Sequence, residues 1–183
     1  NSKVPCYELI GKKIFASMDN WDNFGKMASY FVQKDYNIKS AKNVLLLSDG
    51  DITIKKFCTD YMPGATHQCD HYHLKKKLRQ VYGCNVKVLN KFFDLINQRK
   101  HIKLPYLIKM TKLNGLITDE DEEMLAGYIN ANMDSIWAVD KLRDKIAKEL
   151  AKVGSGVVEK NIDTAIARRF KLRGISWSKE GAA

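Results

Sequence analysis

The chain has 183 residues, 45% of them hydrophobic and 28% charged, a balance that suits a globular domain and excludes wholesale disorder. Lys and Arg number 31 against 21 Asp and Glu, and the resulting charge of +10 favours a polyanionic partner, because neutralised phosphates release counterions. No stretch approaches the roughly 20 apolar residues of a membrane span, and the opening N-S-K-V-P-C-Y has no charged-then-apolar signal pattern. The expectation is a cytoplasmic protein with no membrane attachment. Because the chain does not begin with Met, further residues are expected upstream. The four cysteines (Cys6, Cys58, Cys69 and Cys84) form no C-x-x-C pair and are expected to be reduced, small apolar groups.

The first segment, Y-E-L-I-G-K-K-I-F-A-S-M-D, has two apolar-rich runs around Gly11-Lys12 and suits strands with a turn or bulge between them. Asp19 or Asn20 can then cap a helix whose apolar positions Trp21, Phe24, Met27, Ala28 and Phe31 recur at three and four. N-V-L-L-L-S-D is a short continuous apolar run, as in a strand covered on both faces. A second helix is expected from Ile52 to before Met62-Pro63-Gly64, and a second short strand at A-T-H-Q-C-D. Strand and helix thus alternate, which implies an α/β layer with some parallel pairing.

From His73 to about Val153 the strand signal fades and helical spacing takes over, as in Val88, Phe92, Phe93 and Ile96, and again in Ile136, Val139, Leu142 and Ile146. Thr118 before D-E-D-E-E is a capping arrangement with acids where the helix dipole favours them. G-S-G at 154–156 breaks the pattern, and a last helix is expected from about Val157 to Phe170.

Several residues can carry chemistry. Asp49 ends a strand in S-D-G, at the carboxyl edge of a sheet where α/β proteins usually place ligands. It is either a plain turn residue or a carboxylate aimed at a metal, whereas Asp51 reads as the cap of the following helix. In C-D-H-Y-H, strand alternation would put Cys69, His71 and His73 on one face; with Cys84 they offer zinc-type side chains, though at no usual zinc spacing. Polar packing at a strand-to-helix junction is the alternative. Glu159 and Asp163 lie one turn apart early in the last helix; Glu159 also reads as a favourable charge on the helix dipole, and Asp163 as a partner for a neighbouring Lys or Arg. Between positions 75 and 112 eleven bases (among them Lys75, Lys76, Lys77 and Arg79) face a single acid, Asp94. Arg168, Arg169, Lys171, Arg173 and Lys179 surround Trp177 near the end. Such stripes can grip a phosphate backbone, with Trp stacking on an unpaired base, or form a solvated basic face.

Three blocks taken in order resemble the DDE-type insertion-sequence transposases with an RNase H-like catalytic core: L-L-L-S-D-G-D-I-T-I-K-K, P-G-A-T-H-Q-C-D-H-Y-H-L-K-K-K-L, and G-S-G-V-V-E-K-N-I-D-T-A-I-A-R-R with its sequel R-G-I-S-W-S-K-E-G-A. They look like the bacterial ISLre-type group, distantly similar to mutator-type transposases. The resemblance implies an α/β RNase H-like core, incomplete at its N-terminus, over residues 1–73. It further implies an all-helical insertion over 74–153 and a returning helix with a basic tail over 154–183. Asp49 would be the second and Glu159 the third of three carboxylates that hold Mg²⁺ (or Mn²⁺), with Asp70 and His73 forming an accompanying D-x-x-H element in a supporting role. Lys75, Lys76, Lys77, Arg79, Arg168, Arg169, Arg173 and Trp177 would contact DNA, the transposon ends, and a homo-oligomer is compatible with the class. The first carboxylate, expected in a D-G motif on the first core strand, has no counterpart here, since Asp19 and Asp22 fall at the first helix. The implied function is the C-terminal part of a transposase, unable to cut DNA by itself. The alternatives are a non-catalytic DNA-binding or structural remnant of the same fold and a zinc-stabilised interaction module.

Overall fold

The computed structural model describes residues 13–142 apart from 14, 18 and 42. In chain order its elements are α1 (Trp21–Asp35), β1 (Leu45–Ser48), α2 (Ile52–Asp60), β2 (Thr66–Cys69), α3 (His71–Tyr82), α4 (Val86–Asn97), α5 (Leu104–Leu113) and α6 (Asp119–Asn132). Single 3₁₀ turns lie at Ile38–Ser40, His101–Lys103 and Ala138–Lys141. The strands expected near the start of the chain, and the helix expected from Val157, lie mostly or wholly outside the described residues.

The local signals act as their chemistry requires. Asn20 caps α1 by accepting the Asn23 amide at 3.0 Å, Asp51 caps α2 through Thr53, and Thr118 exchanges hydrogen bonds with Asp121 in a capping box that opens α6. Helix α1 packs through its small residues. A Cβ on Gly25 would sit 2.3 Å from the Tyr61 ring, and Ser29 Oγ donates to Tyr61 O at 2.8 Å. Met27, expected on the apolar face, is instead exposed, because the contact stripe runs through Gly25, Ala28 and Ser29.

Strands β1 and β2 pair in parallel, with Leu45 opposite Thr66 and Ser48 opposite Cys69. Parallel neighbours need a long crossover, and α2 supplies it. The β1 leucines are half-buried rather than covered on both faces. The free edge of β2 meets the segment after α6: the Cys69 amide donates to Ser135 O at 2.8 Å, Gln68 Nε2 to Ile136 O at 2.6 Å, and the Val139 amide to Gln68 Oε1 at 3.2 Å. These bonds explain why 136–142 is not the α-helix that its apolar spacing predicts. The carbonyls of Ser135 and Ile136 accept from β2 instead of from amides four residues on, and only a 3₁₀ turn remains. Ile136 and Val139 are still buried, so the spacing reported burial correctly and geometry wrongly.

The apolar core lies in α3–α6. Leu74 and Leu78 of α3, Phe92 and Ile96 of α4, Leu104 and Ile108 of α5, and Leu125 and Ile129 of α6 form one cluster with Ile136.

Candidate functional site

Parallel pairing brings the carboxyl ends of β1 and β2 side by side, and Asp49 and Asp70 are the residues that follow them. The loop after β1 is tightly bonded. The Gly50 amide donates to Ser48 Oγ at 3.1 Å, the Asp51 amide to Asp49 Oδ1 at 3.0 Å, and the Thr53 amide to Asp51 Oδ1 at 2.6 Å. The last of these bonds holds the Asp51 carboxyl below its usual range. Gly50 has a φ of 90°, in the left-handed region.

Helix α6 closes over this loop. Tyr128 OH donates to Asp49 O at 2.6 Å and Asn132 Nδ2 to Gly50 O at 2.9 Å. A Cβ on Gly50 would lie 2.7 Å from Tyr128 OH and 2.9 Å from Asn132 Nδ2, so the glycine is required for closeness as well as for conformation. Below the loop, His67 bridges three segments: Nε2 lies 2.7 Å from Ser48 Oγ and Nδ1 2.9 Å from Ser135 Oγ. Burial, aided by the Lys55 charge, lowers its pKa against the opposing pull of Asp134 and Asp49. Lys55 itself reaches Asp134 at 2.7 Å and Ala131 O at 3.1 Å.

The exposed Asp49 forms one side of a cleft of about 180 Å³ whose other lining residues are His73, Lys76, Lys77 and Gln80 of α3. These four recur at i, i+3, i+4 and i+7, one polar face of the helix, while Leu74, Leu78 and Tyr82 point into the core. Lys77 Nζ also lies 4.8 Å from the centre of the Tyr128 ring. The cations of α3 therefore do not form one stripe. Lys75 and Arg79 lie over Phe93 of α4, at 5.4 and 5.0 Å, and Lys75 also donates to Asn97 Oδ1 at 3.0 Å.

Asp70 is buried and works locally. One carboxylate oxygen accepts the Tyr72 amide at 2.8 Å and caps α3; the other lies 3.5 Å from His73 Nδ1. The D-x-x-H pair therefore meets, as one turn of helix. Because α3 begins at His71, strand alternation stops at Cys69, and Cys69, His71 and His73 do not share a strand face. Cys69 Sγ is buried 3.3 Å from Tyr128 OH with its thiol pKa pushed up to about 11 by burial. His71 Nε2 donates to Ile136 O, and Cys84 is exposed beyond the end of α3.

Asp49 offers the hard oxygen donor that Mg²⁺ or Mn²⁺ prefers. It is a single open carboxylate, however, and among the described residues no three His, Cys, Asp or Glu side chains gather to hold a metal ion. The described residues thus do not constitute a metal site. Glu159, Asp163, Arg168, Arg169, Arg173 and Trp177 lie outside them. Tyr128, Asn132, Gln80 and Ser135 are the site residues that sequence reasoning missed. Gln80 was visible as the i+7 member of the His73 stripe, and Tyr128 and Asn132 as an i, i+4 polar pair, but nothing local names their partner.

Among the described residues, fold and site define a mixed α/β protein, mostly helical, with a small two-stranded parallel sheet and an acidic–basic cleft at its carboxyl edge. Its sequence matches the uncharacterised protein family UPF0236 over residues 2–183, and the chain belongs to that family. No curated protein and no solved structure gives a match. Among the described residues no helix is long and apolar enough to cross a membrane.

Proposed function

We propose that the chain is a catalytic-core fragment of a DDE-type insertion-sequence transposase, with a partial RNase H-like core over 1–73, a helical insertion over 74–153 and a returning helix carrying Glu159 over 154–183. The observation that carries this reading is the meeting of Asp49, at a parallel strand end, with His73, Lys76 and Lys77 in one cleft. In such enzymes metal ions held by carboxylates activate the attacking oxygen and stabilise the leaving one. This chain's own residues do the binding. Lys76 and Lys77 neutralise a DNA phosphate, His73 and Gln80 add hydrogen-bonding capacity, and Asp49 presents its carboxylate to the same space.

A second reading is a non-catalytic DNA-binding remnant, which the Lys76 and Lys77 wall of the cleft serves equally well. Fluorescence anisotropy with labelled duplex DNA separates the two. Both require affinity that falls steeply with salt and weakens when Lys76 and Lys77 become Ala. Under the fragment reading Mn²⁺ strengthens DNA binding by the natural chain and not by Asp49→Ala; under the remnant reading Mn²⁺ has no such effect. Absence of binding at low salt sinks both.

A further inference from the structure

Helix α6 belongs to the helical part of the chain, yet its polar face is turned to the loop that carries Asp49. Two residues one turn apart do this. Tyr128 donates its hydroxyl proton to Asp49 O at 2.6 Å, and Asn132 donates from Nδ2 to Gly50 O at 2.9 Å and to its own Tyr128 O at 3.0 Å. Cys69 Sγ lies 3.3 Å from the same hydroxyl and donates to Asp70 O at 3.9 Å. Tyr128 thus lies between Cys69, at the end of β2, and the residue that follows β1. The same tyrosine has a second task on its ring face, where Lys77 Nζ sits 4.8 Å from the centroid. Lys77 and Asp49 line the same cleft, so one side chain touches both an acidic and a basic wall of it.

We propose that Tyr128 is a positioning residue of the Asp49 cleft: its hydroxyl holds the Asp49 backbone and its ring holds the Lys77 ammonium, so that carboxylate and cation address one phosphate group of a nucleic acid at a set separation. This rests on the nucleic-acid reading of the cleft. The separation matters because Asp49 repels a phosphate that Lys76 and Lys77 attract, and both forces change steeply at short range. A lysine free to swing would neutralise phosphate equally well in many places. One resting on an aromatic face is confined to the cleft.

The test is a double-mutant cycle on the full chain, read by anisotropy of a fluorescein-labelled single-stranded oligodeoxynucleotide at several salt concentrations. Lys77→Ala is expected to lower the slope of log affinity against log salt by about 0.7. Tyr128→Leu removes the ring and is expected to weaken binding about threefold. If Tyr128 acts through Lys77, the double variant binds no worse than Lys77→Ala alone; fully additive losses mean a merely structural tyrosine and overturn the proposal. Should Tyr128→Leu fail to fold, Tyr128→Phe keeps the ring and drops only the hydroxyl. It is expected to shrink the affinity gain that Asp49→Asn brings, because the carboxylate is no longer held at the cleft, and an unchanged gain in the Tyr128→Phe background overturns the hydroxyl's role. If replacing Lys76 and Lys77 together leaves affinity unaltered, the nucleic-acid reading of the cleft fails and this inference with it. If that double replacement weakens binding and the cycle is additive, only the inference fails.

Discussion

Helices α3–α6 bury Leu74, Phe92, Ile96, Leu104, Leu125 and Ile129 completely, whereas Leu45, Leu46 and Leu47 of β1 stay half-buried. The helical region closes an apolar core of its own. The α/β region is joined to it mainly by directed polar contacts: Gln68 to Ile136 and Val139, His67 between Ser48 and Ser135, Lys55 to Asp134, and Tyr128 and Asn132 to the Asp49–Gly50 loop. Apolar contacts supply cohesion and tolerate small slips, whereas hydrogen bonds fail within a few tenths of an ångström. A polar seam is therefore suited to hold a loop in register, and Asp49 is at that seam.

The contrast is open to direct attack. Phe92→Ala empties the helical core and should cost about 3–5 kcal/mol in urea unfolding, against about 1–2 kcal/mol for Leu46→Ala in β1. Equal losses would break the comparison. Gly50→Ala strikes the seam itself. Its φ of 90° and a new methyl 2.7 Å from Tyr128 OH should together cost about 2–3 kcal/mol, and a loss near zero would mean that α6 is loosely seated. Asp70→Ala removes the α3 cap and should lower stability by about 1 kcal/mol, with Asp70→Asn recovering most of it, because asparagine caps comparably. Asp49→Asn should leave stability within about 0.5 kcal/mol, as at an ordinary exposed position. Without divalent ions it should raise oligonucleotide affinity about twofold, since a like charge leaves the cleft; weaker binding would place phosphate elsewhere.

Acid is the mildest perturbation and also reads the seam. Burial lowers the pKa values of His67 and His71 below 6.5. The unfolded chain therefore takes up protons first as pH falls. Their contribution to stability is fully present above about 6.5, and declines as pH falls from there through the lower folded values. The urea midpoint should fall between neutral pH and about pH 5, and His67→Gln should flatten that fall. An unchanged slope in the variant would remove His67 from the seam.

Much was legible in the sequence because it was local. Asn20, Asp51 and Thr118 cap helices by bonding amides two or three residues away, and the apolar spacing of α4 marks its buried face wherever the helix docks. The alternation of short apolar runs with α2 implies parallel pairing, and Asp49 stands at a strand end in both views. The double face of α3 is equally local, and the simple tally of basic residues from 75 to 112 hid it: Lys76 and Lys77 belong to the cleft, while Lys75 and Arg79 belong to Phe93.

Other features have no local signature. The spacing of Ile136 and Val139 predicts a helix, and only the presence of β2 beside them diverts their carbonyls and amides into other bonds. Tyr128 lies 79 positions from Asp49, and Asn132 lies 82 from Gly50. By itself the sequence determined which residues cap, which bury and where the acid ends its strand, because those depend on neighbours within about one helical turn. Which helix closes over that acid was decided by the tertiary structure alone, since a hydrogen bond between distant segments exists only once packing has brought donor and acceptor within about 3 Å.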